Sequence, residues 1–555
     1  MGFTIPSDSD MSAKTDQDDS SIAKDGGSSN SKGSSLHDGV TERSPLLRGQ
    51  VIELPSRRPQ WMSRSALTII LTLVVGLLAS GDQLMDSPQT RIIESVICYR
   101  YYERVDPSKI QVGRDAVGPG AGGGVAEMWC KADGVQEQLA MLRGYQQLFD
   151  GFPALLLAVP FGWAADRYGR KPFLMLGLIS FVFRASWIQF ITWFWQAFDI
   201  RLTWLSALHG LISGSSPVVS ALFFVVLSDI TSEAERAAVF LRIGATELLA
   251  NLTMPPLSAW LMDINPWIPS LCGTLIMCMC IFLFAVVPET LNYKHPYGSP
   301  SSSHPPSPSA ETAPLPPPDM SVRNPISADF TTRWIGTVKD ATAFLTRDWR
   351  VTALILPFFG HMLIGNATQL LLQYLSKRYE VTFSKATLLL TIYNAVRVLL
   401  LFVVLPHLST AVMRIFHLTG QKKDLYLARA SILFIIAGWT LVGLAPNIPT
   451  VAISMAVASL GQGTYLLVRS FLTSLVPVHH IARVYSIISV VDTLGAMFGG
   501  ALLAGLFKRG IALGGTWIGL PFFFLGLISA AFAVLMFVVR LREGEGELLA
   551  DEQEM

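Results

Sequence analysis

Gly162-Trp163-Ala164-Ala165-Asp166-Arg167-Tyr168-Gly169-Arg170-Lys171 is a polar, basic, turn-forming stretch set between two long apolar segments. A membrane span needs about 20 apolar residues, and charge at this density between two such runs belongs at a membrane face. The rest of the chain agrees. Its 555 residues are 51% hydrophobic and 15% charged, where a soluble domain carries about a quarter charged residues. The mean hydropathy is +0.44. The expected class is an all-α membrane protein, and a formal net charge of +1 supplies no field for nucleic acid.

Twelve segments qualify as spans: 65–86, 139–162, 173–195, 203–228, 237–262, 268–288, 350–374, 385–405, 428–446, 449–474, 483–507 and 517–539. Pro88 lies where the first pattern runs on toward Tyr101, and a proline there predicts a kink or break. Residues 102–138 read as a loop containing Gly118-Pro119-Gly120-Ala121-Gly122-Gly123-Gly124. A longer stretch, dense in Pro and Ser (Pro314-Leu315-Pro316-Pro317-Pro318), reads as a solvated linker that splits the spans six and six. The expected organisation is a disordered tail 1–64, a six-helix bundle 65–291, the linker 292–349, a second six-helix bundle 350–540 and a short tail 541–555. The first tail has no cleavable signal peptide, so the first span is its own insertion signal. Within it, Glu42-Arg43-Ser44-Pro45-Leu46-Leu47 has the spacing of an acidic di-leucine sorting signal, a match frequent by chance.

Basic residues set the orientation. Arg57, Arg58 and Arg64, then Arg167, Arg170 and Lys171, then Lys422, Lys423 and Arg429, then Arg540 and Arg542 share one face, which is assigned to the cytoplasm. The 102–138 loop breaks the rule with Arg104, Lys109, Arg114 and Lys131, but long loops are weak orientation signals. Cys98 and Cys130 then flank that loop on the oxidising side, as a disulfide or as two free thiols. Asn251-Leu252-Thr253 and Asn366-Ala367-Thr368 match the glycosylation sequon inside spans and are rejected as acceptors.

Six plus six helices, a cytoplasmic linker and the spacing G-x-x-x-D-R-x-G-R-K after helix two resemble the major facilitator superfamily over about 65–540. Cys98-Tyr99-Arg100-Tyr101-Tyr102, Cys130-Lys131, Ser228-Asp229 and Pro288-Glu289-Thr290-Leu291 are similar to a fungal group of that superfamily, near drug:proton antiporters and proton-coupled folate and haem carriers. The resemblance implies a major facilitator fold and, through the group's links to secondary-metabolite export, that kind of cargo. It also implies a latch. Gly162 would let helix two approach helix eleven, and Asp166 would face the start of helix eleven near Ala482-Arg483. Arg170 would pair with Asp229, Gly169 would make the turn, and Arg167 and Lys171 would complete the basic face. The alternative is a membrane anchor with no gating role. Drug antiporters usually carry a Gly- and Pro-rich motif in helix five. Here that helix reads Gly244-Ala245-Thr246-Glu247, then Asn251 to Pro255-Pro256, without the second glycine, which leaves the direction of transport open.

Charges at membrane depth cost ~2.5–3.5 kcal/mol each on insertion scales, so each needs a partner or a cavity. At ~1.5 Å per residue, Arg184 lies about 18 Å, Glu247 about 16 Å and Asp150 about 24 Å from the basic face. Asp150, Arg184 and Glu247 are expected to cluster. His361 and Asp492 both lie about 16 Å deep, with Arg397 slightly lower and Arg469 lower still as alternative partners of Asp492. Asp82 and Asp86 sit near the outer end of helix one. Glu247, Asp150 and Asp82, in that order, are candidate proton carriers; fixed struts within each bundle are the alternative reading. His361 is a further proton-site candidate.

Two transport readings follow: proton-coupled efflux of an amphipathic organic molecule, or import of a folate- or haem-like anion, which interior Arg184, Arg397 and Arg469 would favour. A third reading, a non-transporting sensor, wants a long ordered tail that 541–555 does not supply. The sequence has no G-x-x-x-x-G-K-[ST] loop and no catalytic set, so neither an ATP-driven pump nor an enzyme is expected. No cofactor or metal is expected. The expected partners are a small organic substrate, protons and the lipid bilayer, with the chain a monomer in the plasma membrane or, as the alternative, the vacuolar membrane.

Overall fold

The computed structural model describes residues 63–231, 233–290, 349–416, 420–476 and 478–539. The expected tails and linker, including the di-leucine match, lie outside these residues apart from positions 63, 64 and 349 at their edges. Twelve principal helices follow in order: α1 Arg64–Val105, α2 Asp133–Tyr168, α3 Arg170–Trp193, α4 Ser215–Ile230, α5 Glu233–Ile264, α6 Trp267–Ala285, α7 Trp349–Arg378, α8 Phe383–Leu399, α9 Gly420–Leu444, α10 Ile448–Leu460, α11 Val478–Leu513 and α12 Leu520–Val538. A 3-10 turn carries α10 on into Thr464–Ser474, and a π-turn, Leu400–Val404, carries α8 on into Leu405–Phe416.

Among the described residues, ten helical segments are long and apolar enough to cross a membrane. α2 and α5 are not among them. They coincide with the second and fifth expected spans. Large apolar side chains stand exposed on the outer surface, among them Phe282 (75%), Leu241 (74%) and Leu527 (71%). Lipid is the solvent that such a surface needs.

α1 does not break at Pro88. It runs for 42 residues because the carbonyl that Pro88 cannot serve is served from outside. A proline leaves the carbonyl four residues earlier without its donor. Here that group is on Leu84, and Ser258 Oγ of α5 donates to it at 2.8 Å. Pro255 of α5 frees the carbonyl of Asn251 in the same way, and Asn394 Nδ2 of α8 donates to it at 3.0 Å. Two prolines that would weaken isolated helices thus become helix-to-helix fasteners. The fourth span is interrupted: a 3-10 stretch, Ile200–Leu208, and a short helix, His209–Ser213, precede α4. Gly214 and Ser215 both take positive φ at the break.

The loop between α1 and α2 is shorter than expected, 106–132, and is folded rather than loose. Short 3-10 turns shape it, and Ala121, Val125, Cys130 and Lys131 are buried. This end of the molecule is called the loop end below, and the opposite end, holding 162–171, the motif end. Helices before and after 291–348 form an N-terminal and a C-terminal set. The sets meet mainly along α2–α11 and α5–α8. One apolar core runs through the C-terminal set and takes in Ile93, Val96, Val135 and Leu139 from the loop end of the N-terminal set. The motif end of the N-terminal set has a separate core around Leu71, Ala165, Leu178 and Leu227.

Candidate functional site

Three groups of polar side chains lie along the molecule. At the motif end, Gly169 takes φ 107° between α2 and α3, a conformation that only glycine adopts without strain. The turn starts α3 with free backbone donors. Glu289, just beyond α6, accepts from the amides of Arg170 at 3.0 Å and Lys171 at 3.1 Å. A carboxylate also complements the positive end of that helix. Arg170 forms an ion pair with Asp229 of α4, and Lys171 Nζ donates to the carbonyl of Ala285 at 2.8 Å. Arg167 is exposed, its guanidinium 5.7 Å from the Tyr168 ring.

The pairing of Arg170 with Asp229 and of Lys171 with the Ala285 carbonyl braces α3 against α4 and α6 inside one set. The expected contact of Asp166 with the start of α11 falls on side chains outside the described residues. α11 itself begins at Val478, a turn earlier than Ala482. In this state Gly162 makes no close approach: a Cβ there would meet nothing within 4 Å. The close approach of α2 to α11 lies nearer the loop end. There a Cβ on Gly144 would come within 2.7 Å of the Gly500 carbonyl oxygen, and one on Gly151 within 2.8 Å of Met497 Cβ.

In the middle of the helices, Arg184 Nη2 of α3 lies 3.0 Å from Asp150 Oδ2 of α2. His209 Nδ1 is 3.9 Å from the other Asp150 oxygen. Arg143 pairs with Asp86 at 2.9 Å and donates to Thr90 at 2.7 Å. Asp82 is solvent-accessible and feels the charges of Asp86, Arg184, Arg143 and Glu247. Glu247 does not join the Asp150–Arg184 pair. Its side chain is exposed and forms no ion pair among the described residues. It sits on a different helix, α5, and reaches neither partner.

In the C-terminal set, Asp492 of α11 stands between His361 of α7 at 3.8 Å and Arg469 at 3.7 Å. Asp492 Oδ1 and His361 Nδ1 are buried and make no hydrogen bond. Separations beyond 3.5 Å leave room for a bridging group. Aromatic rings floor this recess: Tyr465 lies 4.5 Å from the His361 ring, and Arg469 lies over Phe358 and Tyr485 at 5.4 and 5.5 Å. Of the two expected arginine partners, Arg469 is the one that meets Asp492. Arg397 forms no ion pair among the described residues, and its Nε is buried without a hydrogen bond. No group of three His, Cys, Asp or Glu side chains among the described residues could hold a metal ion.

The third group, at the loop end, has no assigned role in the sequence reading. Glu94 of α1 is fully buried. Its carboxylate accepts from Lys131 Nζ at 2.9 Å, Gln136 Nε2 at 2.6 Å and Arg91 Nη1 at 3.1 Å. Glu127 meets Arg91 Nε at 3.2 Å and accepts from Lys131 at 3.2 Å and from the backbone amide of Phe383, at the start of α8, at 2.7 Å. Burial works to raise the Glu127 carboxyl, but Arg91, Lys131 and the Phe383 amide outweigh it and hold it below its ordinary value. Gln373 of α7 donates to the Gln136 carbonyl at 2.6 Å, and Lys377 to the Lys131 carbonyl at 2.6 Å. The network therefore crosses between the two sets. In the structure Cys98 and Cys130 are joined by a disulfide that holds this end of the loop to α1. The sequence signal was Glu94, Lys131 and Gln136, polar residues beside apolar runs; Lys131 and Gln136 lie 37 and 42 positions from Glu94.

The fold and these buried charges define a multi-pass helical membrane transporter. The chain belongs to the Major Facilitator Superfamily, whose profile matches residues 148–500. Its fold is accordingly two six-helix bundles, and it is not an enzyme. It is 27% identical over 92% of its length, and 95% of the other chain, to the MFS-type transporter aprT of Aspergillus flavus. It is 28% identical to the MFS efflux pump atnC of Emericella nidulans, over 86% and 87% of the two chains. Among solved structures it resembles a D-xylose-proton symporter at TM-score 0.52 and 11% identity, covering 85% of this chain and 99% of that one.

Proposed function

We propose that the protein is a secondary active transporter that exports a small organic molecule, a secondary metabolite or xenobiotic, in exchange for protons by alternating access. The motif end faces the cytoplasm in this reading, the loop end faces outside, and the membrane is the plasma membrane. The observation that carries it is the pair of mid-helix charge centres, one per set: Asp150 with Arg184, and Asp492 between His361 and Arg469. Charge at that depth persists only where it is paired or lines a cavity, and it marks ion and substrate pathways. The names of the relatives, efflux pump among them, support export.

Asp150, Asp82 and Glu247 are the carboxylates proposed to load and unload protons. The 162–171 motif, with Asp166 toward α11 and Arg170 on Asp229, is proposed as the latch of the cytoplasmic side. A shared core and a crossing polar network at the loop end, with Gly162 free of neighbours, fit an inward-facing state. The second reading, import of an organic anion, draws on Arg397, which has no ion-pair partner among the described residues and whose Nε is buried without a hydrogen bond.

The test is a metabolite panel measured inside and outside cells with and without the protein. Export predicts compounds that fall inside and rise outside, with the effect lost when the pH gradient is collapsed. Rise inside would favour the importer, and no redistribution would end the transporter reading. Asp150→Asn and Glu247→Gln should each abolish gradient-driven flux; a variant with unchanged flux and pH profile removes that residue from the coupling role.

A further inference from the structure

Glu247 and Arg397 are two charges at mid-helix, of opposite sign, on the two helices that form one of the seams between the sets. Neither has an ion-pair partner among the described residues. Their heights can be fixed against a contact that already exists. Asn394 of α8 donates to the Asn251 carbonyl of α5, and the two helices run in opposite directions along the seam. Glu247 lies four residues from Asn251 toward the motif end, and Arg397 lies three residues from Asn394 toward the same end. At ~1.5 Å per residue these offsets are about 6 and 4.5 Å, so the two charges share one level, a turn below the asparagine contact.

Three further observations describe that level. Glu247 is exposed, so its carboxylate looks into open space rather than into packed helix. Gly244, one turn further toward the motif end on α5, has no heavy atom within 4 Å of where a Cβ would stand. On α8 the π-turn Leu400–Val404 begins three residues after Arg397. π-turns inside helices recur at functional sites and let the chain on either side shift. The seam is thus fastened at Asn251–Asn394 and unfilled just below it.

We infer that Glu247 and Arg397 form an ion pair across the α5–α8 seam when the motif end of the molecule closes. The pair is absent in the present state, and Asn251–Asn394 is the pivot above it. Closing the gap removes both side chains from water together, and each supplies the other with a charge of opposite sign at that level of the seam. Leaving either buried alone would be strongly unfavourable, so the pair also sets a condition on closure: both charges must be present, or both absent. The inference rests on the alternating-access reading, but its test needs no transported substrate, so the two can fail separately.

The test is thiol cross-linking in native membranes, with Cys272, Cys278 and Cys280 replaced by Ala. Glu247→Cys/Arg397→Cys is compared with Asn251→Cys/Asn394→Cys, which already stands at contact distance. Each is made in the native background and with the loop-end contacts weakened by Gln373→Ala/Lys377→Ala. The control pair should cross-link in both backgrounds. The 247/397 pair should cross-link at least fivefold more in the weakened background. Cross-linking of the control pair with none at 247/397 in either background overturns the inference. Because cysteine at these positions could impair folding, charge exchange supplies a second readout. Glu247→Arg and Arg397→Glu singly should lower the folded yield in membranes about tenfold, and the double exchange should restore it. A double variant no better than the worse single contradicts the pair.

Discussion

Glu94 is 0% exposed, and Lys131, its nearest cationic partner, is 6% exposed. Breaking a buried pair leaves the survivor uncompensated, at a cost of about 3–5 kcal/mol. Lys131→Met should therefore lower the thermal midpoint in detergent by several degrees, and Glu94→Leu in the same chain should recover much of the loss. A single variant as stable as the parent would mean that Arg91 and Gln136 suffice for Glu94. Glu127 supplies the pH dependence of the same region. Its carboxyl titrates below the ordinary value of 4.5 when folded. A depressed folded value gives stability that is present above the unfolded value and is lost as pH falls through the folded one. Hydrogen exchange of the 106–132 amides and of the Phe383 amide should thus be slow at neutral pH and speed up only below about 4.5; protection that is flat across that range would remove Glu127 from the anchoring role.

At the scale of elements, the prolines of α1 and α5 make a second set of predictions. Ser258→Ala strips the Leu84 carbonyl of its donor and Asn394→Ala strips the Asn251 carbonyl. Each leaves a polar group unsatisfied away from water and should cost ~1–3 kcal/mol, read as a fall in thermal midpoint. Equal stability in both would show that the two carbonyls find other donors. Glycine positions discriminate the same way. Gly144→Leu and Gly151→Leu should force α2 from α11 and reduce folded yield, whereas Gly162→Ala should be tolerated. The close approach expected at Gly162 is absent in this state. The one that is present was signalled by Gly144 and Gly151, seven residues apart on one helical face. The continuation of α1 through Pro88 was illegible for a related reason: the rescuing hydroxyl is 174 residues from the carbonyl it serves. Local rules read a proline as a break, and only packing supplies the donor. The Arg170–Asp229 contact was implied by the family resemblance, and it joins the start of α3 to the last turn of α4. Glu289 was quoted from the sequence without its role, since nothing local links it to the amides of Arg170 and Lys171.

For the whole molecule, the account is one of two helix sets that share a core and a polar network at one end and carry separate charge centres at mid-depth. Alternating access requires the two ends to open and close out of phase. Hydropathy and the motif made the class and the twelve spans legible. The cross-set network was not, because Gln373, Lys377 and Phe383 meet the α1–α2 loop only after both sets have folded. Distance measurement between paired spin labels tests the central claim directly, with Cys272, Cys278 and Cys280 replaced by Ala. One pair, Tyr168→Cys/Phe416→Cys, reports the motif end; the other, Met128→Cys/Lys385→Cys, reports the loop end. The account predicts a long motif-end and a short loop-end distance in the parent protein, and a second population with the two reversed when Gln373→Ala/Lys377→Ala weakens the loop end. Two distances that lengthen together, or that stay fixed in both backgrounds, would contradict it.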